Sequence, residues 1–409
     1  MFGNSNRRQF LRGAGILSTF TASGGFSIRS LWAARADVSR KTVYSALGIR
    51  PLINAAGTYT TLSASLLPRE VAEAMQDASR HYVSIPELHE AAGKRIAALV
   101  GSEGALVTAG AASALTLGTA ACVAGKDQDR IRRIPDTTGM KNEVIIQKSH
   151  RFGYDHAVRA VGTRLIEVET REQMTAAIGD RTAMMLFLNS NAPKGQIKHA
   201  EFVEIAKKAG VPTLIDAAAD VPPADHLGAY TKMGFDLVAI SGGKGLRGPQ
   251  CSGLLLGRKD LIEAAYLNGS PHSDTVGRQA KVGKEEIVGL WTAVELYVKR
   301  DHKAEWREWE SRIRSISDAL GGVRGVRTET FLPEIANEVP HLRAEWDPKV
   351  IPLRNREVAK LLLDGEPRIA VRPSEGDKPT LEIAVWMLQP GEHKIVAQRV
   401  VEVLKKNLT

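Results

Sequence analysis

The sequence predicts an α/β protein: a mainly parallel sheet with helices on both faces, followed by a smaller α+β domain. Three observations carry this expectation. From about residue 100 to residue 257, short apolar runs alternate with helical stretches, the pattern of strands joined by helical crossovers. Most of the runs are near-continuously apolar, as strands covered on both faces are. Beyond residue 283 the periodicity becomes that of long amphipathic helices, with only two weak strands among them.

From the N-terminus, the first 36 residues hold five arginines and no acid. Arg7 and Arg8 precede Phe10 and Leu11, a modestly apolar stretch, and Ala34-Arg35-Ala36, a site suited to signal peptidase. The segment resembles a twin-arginine export signal, with Arg12 where a lysine is usual. Its apolar run is too short and interrupted to stay as a membrane anchor. The resemblance implies a periplasmic or secreted product, exported folded by the twin-arginine translocation machinery and cleaved after Ala36. Without this segment the net charge of +9 falls to +4, from 50 basic and 46 acidic residues, which removes the main support for a nucleic-acid partner. Cys122 and Cys251 both read as small core residues, and two isolated cysteines make no zinc pattern.

Residues 37–99 are expected to form an N-terminal segment with helices, and 100–282 a large ligand-binding domain. Seven runs predict a seven-stranded sheet: "GALVT" (104–108), "EVIIQ" (143–147), "RLIEV" (164–168), "AMMLFL" (183–188), "PTLID" (212–216), "DLVAI" (236–240) and "SGLLLG" (252–257). Only a glycine-rich turn separates the last two, too short for a crossover, so the seventh is expected to be antiparallel. Helical segments such as "HAEFVEIAKKAG", ending at Gly210, lie between most of the others. Residues 127–142 read as a loop insertion. Residues 283–409 are expected to hold a linking helix, or two, and the small domain, with strands "RIAVRP" and "TLEIAV" and a closing helix.

In open α/β sheets, ligands sit beyond the carboxyl ends of the strands. Three features fall there. Lys244, in "SGGKGLRG", stands after an apolar strand among glycines that would let a flat ligand come close. Asp216 closes a buried strand, a costly place for an acid unless it meets a cation such as a protonated pyridine nitrogen. In "VTAGAASAL" (107–115) a strand ends and a helix begins, offering free amides and the Ser113 hydroxyl to a phosphate. An amine for an aldehyde, an acid for a ring nitrogen and a phosphate cradle are together what pyridoxal phosphate requires.

With "PLINAAGTYT" (51–60), "LIDAAADVPP" (214–223), "SGGKGLRGPQCSGLLLGR" (241–258) and "KVGKEEIVGLWTAVE" (281–295), these stretches make the chain similar to the fold-type-I pyridoxal phosphate enzymes. Within them it resembles the group of seryl-tRNA selenium transferases and D-glucosaminate-6-phosphate ammonia-lyases. The resemblance implies that Lys244 bonds the cofactor's aldehyde and that Asp216 meets its ring nitrogen. Gly110, Ala111, Ala112 and Ser113 then hold the phosphate, with Ser241 nearby. It further implies that His150 stacks on the cofactor, with Tyr154 competing for that role. Asn54, Thr58, Arg247 and Arg372 are candidates for substrate. The implied reaction is α,β-elimination from a β-hydroxy amino acid or amino-sugar acid, with Lys244 as general base. Racemisation, transamination, aldol cleavage and cofactor binding without catalysis remain the alternatives. The same resemblance implies a homodimer or higher homo-oligomer, with "PHSDTVGRQ" (271–279) contributing across the interface.

Overall fold

The computed structural model describes residues 42–374 and 376–409. The export signal and its cleavage site lie outside the described residues. The chain divides after Ile49. Of its first unit, the described residues form one 3-10 turn, Val43–Leu47, closed by Gly48 in the left-handed conformation.

The second unit, Arg50–Thr409, is built on two sheets. Strand β1 (Leu52–Ala55) is followed by helices α1 (Arg69–Ala78) and α2 (Ile85–Val100), then β2 (Gly104–Thr108) and α3 (Ala111–Ala124). A short helix α4 (Gln128–Arg133), β3 (Glu143–Gln147), α5 (His156–Arg159), β4 (Arg164–Val168) and α6 (Arg171–Ala177) come next. Then come β5 (Thr182–Leu188), buried along its whole length, α7 (His199–Ala209), β6 (Thr213–Asp216), α8 (His226–Met233), β7 (Leu237–Ser241) and β8 (Gly253–Gly257). The order across this sheet is β2-β8-β7-β6-β5-β3-β4. All pairs are parallel except those made by β8, which runs antiparallel to β2 and β7 as the short turn before it requires.

Helix α3 is apolar almost all round because it is buried almost all round, with Ala114, Leu115, Ala120 and Ala121 at 2% exposure or less. Gly118 brings it close to the sheet: a Cβ there would lie 2.6 Å from Leu214 Cδ1.

After α9 (Lys259–Leu267), the expected linking helix is two: α10 (Lys284–Lys299) and α11 (His302–Gly321). Asp301 caps the second, its carboxylate accepting the Ala304 N–H at 2.9 Å. The small lobe then supplies β9 (Val326–Phe331), β10 (His341–Trp346), α12 (Asn355–Asp364), β11 (Arg368–Pro373), β12 (Thr380–Ala384) and α13 (Glu392–Lys406). Its five-stranded sheet has the order β1-β11-β12-β10-β9. Trp309, Ile313, Ile316 and Leu320 of α11 and Val396, Val400 and Leu404 of α13 form helical stripes that bury this sheet's inner face.

Several expectations are corrected. The small sheet has five strands rather than two; β9 has four consecutive polar residues, Arg327 to Thr330, and β1 is only four residues long. Residues 128–133 form a helix, where a loop was expected. Its N-cap is Asp127, whose carboxylate accepts the Asp129 and Arg130 N–H groups. Both cysteines are free thiols, and Cys251 is exposed at the tip of the turn before β8 rather than in the core.

The close approach of α3 makes a direct prediction. Gly118→Leu should overpack the Leu214 contact and cost roughly 1–3 kcal/mol. Chemical denaturation reads this as a lower midpoint, and an unchanged midpoint would show slack beneath the helix.

Candidate active site

Three of the strands that matter run in the same direction and stand together, β2, β7 and β6, with β8 inserted between the first two. Their carboxyl ends therefore share one edge of the sheet. Register places them closely: Thr108 and Ser241 both pair with Gly253 at the start of β8, and Asp216 pairs with Ala239.

At the end of β2 the chain turns into α3. Thr108 Oγ1 donates to the Gly110 carbonyl at 2.9 Å, and Gly110, the N-cap, has φ +86. A Cβ on Gly253 would lie 2.4 Å from the Gly110 carbonyl carbon, so only glycine lets the turn settle on β8. Gly110, Ala111, Ala112 and Ser113 thus form the helix N-terminus. Ser113 is 7% exposed, and its hydroxyl has no hydrogen-bond partner. A buried hydroxyl left unmatched at a helix N-terminus fits an anionic oxygen.

Asp216, 6% exposed, accepts one hydrogen bond, from the Ala218 N–H at 3.0 Å. Burial pushes its carboxyl above the usual range, opposed by that N–H and by Lys244. The Lys244 side-chain amine makes no hydrogen bond or ion pair among the described residues. Burial pulls its ammonium down toward the neutral amine, against the pull of Asp216 and Asp220. An amine tuned downward and left unpaired can attack a carbonyl. Its hairpin is held by Gly242 N–H to the Ser252 carbonyl (2.8 Å), Arg247 N–H to the Lys244 carbonyl (2.9 Å) and Ser65 Oγ to the Gly243 carbonyl (2.7 Å). The adjoining glycines serve another purpose than the expected one. A Cβ on Gly245 would lie 2.0 Å from the Val221 carbonyl oxygen, and one on Gly243 2.6 Å from Gln250 Cα, so their space is filled by the protein's own backbone.

Other sequence candidates fare differently. His150 has no exposed face on which a ligand could stack. It is wholly buried, with Nδ1 accepting from the Leu188 N–H at 3.2 Å and the ring edge-on to Phe187, and burial lowers its pKa to about 4. Tyr154 is largely exposed and in ring contact only with Phe152. Asn54 spends its amide on its own loop, Oδ1 accepting from Ala56 and Gly57 N–H and Nδ2 donating to the Gly57 carbonyl. Arg247 is taken by Glu305 (3.5 Å) and the Trp386 carbonyl (3.0 Å), tying the Lys244 hairpin to the small lobe. Thr58 is buried in the loop after β1. Register sets Arg372 just beyond the Ala55–Val371 pair, beside that loop; it is half-exposed and 3.7 Å from Glu382. Ser241 is the last residue of β7.

Sequence reasoning missed a polar cluster next to the three groups. Asp220, 2% exposed, accepts on Oδ2 from Asn189 Nδ2 at 2.6 Å and from the Tyr230 hydroxyl at 3.0 Å. His199 Nε2 meets Asn189 Oδ1 at 2.5 Å. Burial pushes Asp220 up to about 6, against those two donors and with help from Asp216. An acid four residues after Asp216, in "DAAAD", was the available signal. A cavity of about 610 Å3 lined by Arg327, Glu345, Trp346 and Lys378 lies on the small lobe, and none of these site residues lines it.

The sheet, its shared edge and the lysine, acid and anion turn upon it define a pyridoxal phosphate enzyme of fold type I. Residues 52–308 match the family model described as SelA, L-seryl-tRNA selenium transferase, and the chain belongs to that family. Among its relatives, a D-glucosaminate-6-phosphate ammonia lyase from Salmonella typhimurium is 28% identical over 88% of this chain and 97% of its own length. A 5'-C-glycyluridine monooxygenase-decarboxylase from a Streptomyces species is 31% identical over 91% of this chain and 94% of its own. A solved D-glucosaminate-6-phosphate ammonia-lyase, 27% identical, superposes with a TM-score of 0.79 over 90% of this chain and 99% of that one.

Ser113→Ala tests the anion turn. Losing one charge-assisted hydrogen bond should weaken pyridoxal phosphate binding at least about tenfold, as measured by titrating the apoprotein. Melting of the apoprotein should not fall, since its hydroxyl has no partner to lose; unchanged affinity would remove Ser113 from the cofactor site.

Proposed function

We propose that the protein is a pyridoxal phosphate-dependent lyase that releases ammonia from a 2-amino-3-hydroxy acid, with an amino-sugar acid as the leading substrate class. The observation that carries this is the unpaired, down-tuned Lys244 beside buried Asp216 at the strand edge that also holds the Ser113 turn. The likeness to an ammonia lyase over most of both chains supports the choice of reaction.

When bound, the cofactor lends the substrate an electron sink, so that bonds at the α-carbon weaken. The chain's residues determine the rest. Asp216, ionised, would pair with a protonated ring nitrogen and hold the proton there. The amides and hydroxyl of Gly110 to Ser113 would orient the phosphate. Lys244 would hold the cofactor's aldehyde and, as an amine, would take the substrate's α-proton as general base. Loss of the β-hydroxyl as water and hydrolysis of the released product give ammonia and a 2-oxo acid, with atoms balanced. Arg372, beside the Thr58 loop and half-exposed next to Glu382, is the candidate for the substrate carboxylate.

One finding favours a second reading: the relative named for monooxygenation and decarboxylation matches nearly the whole chain. Oxygen dependence separates the two, because elimination needs none. We also propose that the chain is exported folded by the twin-arginine route and cleaved after Ala36, which would carry a cofactor loaded in the cytoplasm across the membrane. A homodimer or higher homo-oligomer acting on a small molecule completes the reading. The largely exposed 271–279 loop is available for such a contact. A net charge of +4 beyond the signal supports a small-molecule substrate over a nucleic acid.

The purified protein should be yellow, and borohydride should fix the cofactor on Lys244, as located by peptide mass mapping. Under anaerobic conditions it should release ammonia from D- or L-2-amino-3-hydroxy acids, and Lys244→Ala should lower that rate by several orders of magnitude. A colourless protein that takes up no pyridoxal phosphate would sink this function. Replacing Arg7 and Arg8 by lysine should leave active enzyme in the cytoplasm, and continued export would count against the route.

A further inference from the structure

Arg247 is an arginine where the backbone asks for a glycine. Its φ of +56 lies in the left-handed region that side chains with a Cβ rarely adopt, and it stands in the lysine's own hairpin, just beyond Lys244. Among the described residues, five other than glycine have positive φ: Ser63, Ala64, Arg247, Ala336 and Asn337. All five lie on the site's supports. Ser65, next to the first two, donates to the Gly243 carbonyl at 2.7 Å, and the Asn337 N–H donates to the carbonyl of Ala219, in the loop after Asp216, at 2.8 Å. Backbone in a sparsely populated conformation persists only where its surroundings over-determine it.

For Arg247 those surroundings are explicit. Its N–H closes a turn on the Lys244 carbonyl at 2.9 Å, and the Gly248 N–H closes a wider one on the Gly242 carbonyl at 2.9 Å. Its guanidinium reaches off the hairpin, with Nη2 donating to the Trp386 carbonyl at 3.0 Å and lying 3.5 Å from Glu305 Oε1. Glu305 stands in the first turn of α11, where a helix N-terminus favours a carboxylate. It also accepts from Nη1 of Arg300, the C-cap of α10, at 3.2 Å. His302 Nδ1 lies 3.8 Å from Glu305 Oε2, and its Nε2 meets the Tyr297 carbonyl at 2.9 Å. The Glu305 side chain is 17% exposed, so these contacts are weakly screened. One acid thus joins the lysine hairpin, the end of α10 and the start of α11.

We propose that Arg247 and Glu305 are a positioning pair: they hold the hairpin in its left-handed turn and so fix the direction from which the Lys244 amine meets the cofactor's aldehyde and the substrate's α-proton. Neither binds substrate. The inference rests on the pyridoxal phosphate reading of the site. A lysine amine rides on a flexible stem, so it is placed only as well as the backbone beneath it. Glycine at 247 would ease the turn but could anchor nothing, whereas the arginine Nη2 has two N–H bonds, enough for both the Trp386 carbonyl and Glu305. The left-handed arginine is the compromise that places an anchor inside the turn itself.

The test uses the full chain as wild type, Arg247→Gln, Glu305→Gln, the double variant and Arg247→Lys. Hydrogen exchange of the 242–250 peptide, read by mass spectrometry without added cofactor, should quicken about tenfold in either single variant while the sheet peptides keep their rates. With pyridoxal phosphate bound, kcat for ammonia release should fall about ten- to a hundredfold at nearly constant KM, since a misplaced group costs turnover rather than binding. The double variant should lose no more than the worse single one, and Arg247→Lys should recover most of the loss, because the two residues act as one contact. A raised KM at constant kcat in Arg247→Gln would make Arg247 a substrate ligand and overturn the pair. Additive losses overturn it too, as does exchange that quickens throughout the chain, which is what a general loss of stability gives. Should Glu305→Gln fail to fold, Arg247→Gly decides: it eases the turn as it removes the ion pair, so unchanged hairpin exchange in that variant overturns the proposal. A yellow enzyme with unaltered hairpin exchange and kcat sinks only the pair. A colourless one sinks the cofactor reading beneath it, and hairpin exchange still judges the pair.

Discussion

The placement of a carboxyl group at the inner end of a buried strand constrains everything else in this molecule. Asp216 ends β6 with a single backbone hydrogen bond and almost no contact with water. Desolvating a carboxylate is costly unless a cation is close, and among the described residues the cation that acts on it is Lys244, itself half withdrawn from solvent. As a structural ion pair this would be a poor arrangement, with no direct contact and two desolvation penalties. As a site that receives a cationic ring on one side and a carbonyl on the other, both penalties become driving forces.

The parallel sheet makes this possible. Crossovers return every strand except β8 in the same direction, so the ends of β2, β7 and β6 open on one edge. Inserting β8 against the grain does a second thing. It puts Gly253 between Thr108 and Ser241, where the missing side chain lets the anion turn sit directly on the sheet. The lysine hairpin, which creates the reversal, is at the same time bound to the small lobe through Arg247 and to the loop after β1 through Ser65 and Gln250. The lysine's amine stays unpaired among the described residues while its hairpin is tied from two sides.

How much of this was legible from the sequence follows from the range of the forces involved. Continuous apolar runs such as "AMMLFL" signalled the buried strands, since a strand covered on both faces has no other composition open to it. Lys244, Asp216 and the Gly110 to Ser113 turn were legible for the same local reason, each being an unusual residue at a strand end. What escaped depends on long-range partners. β1 and β9 are edge strands, the first only four residues long and the second mostly polar, and β1 pairs with β11 more than 300 residues away. His150 and Arg247 carry the right chemistry in plausible places, and only tertiary contacts with Leu188, Phe187, Glu305 and Trp386 show that it is already engaged. The glycines around Lys244 show this most sharply. Their abundance is local information, but whether the vacant space belongs to a ligand or to Val221 and Gln250 is not.

The missed cluster has a further physical meaning. Asn189, Tyr230 and His199 come from three different elements and hydrogen-bond through Asn189, the first two buried and His199 half-buried. A core of this size could have been closed there by apolar side chains of similar volume, generally at no loss of stability. Keeping a carboxyl instead, with one oxygen fully engaged and the other open, places a titratable charge within the field of Lys244 and Asp216. In a low-dielectric pocket such a charge acts over longer distance than a hydrogen bond does. The region behind the strand ends is therefore part of the site's electrostatics as well as its support: Asp216 helps to raise the Asp220 carboxyl, and both acids oppose the downward pull of burial on Lys244.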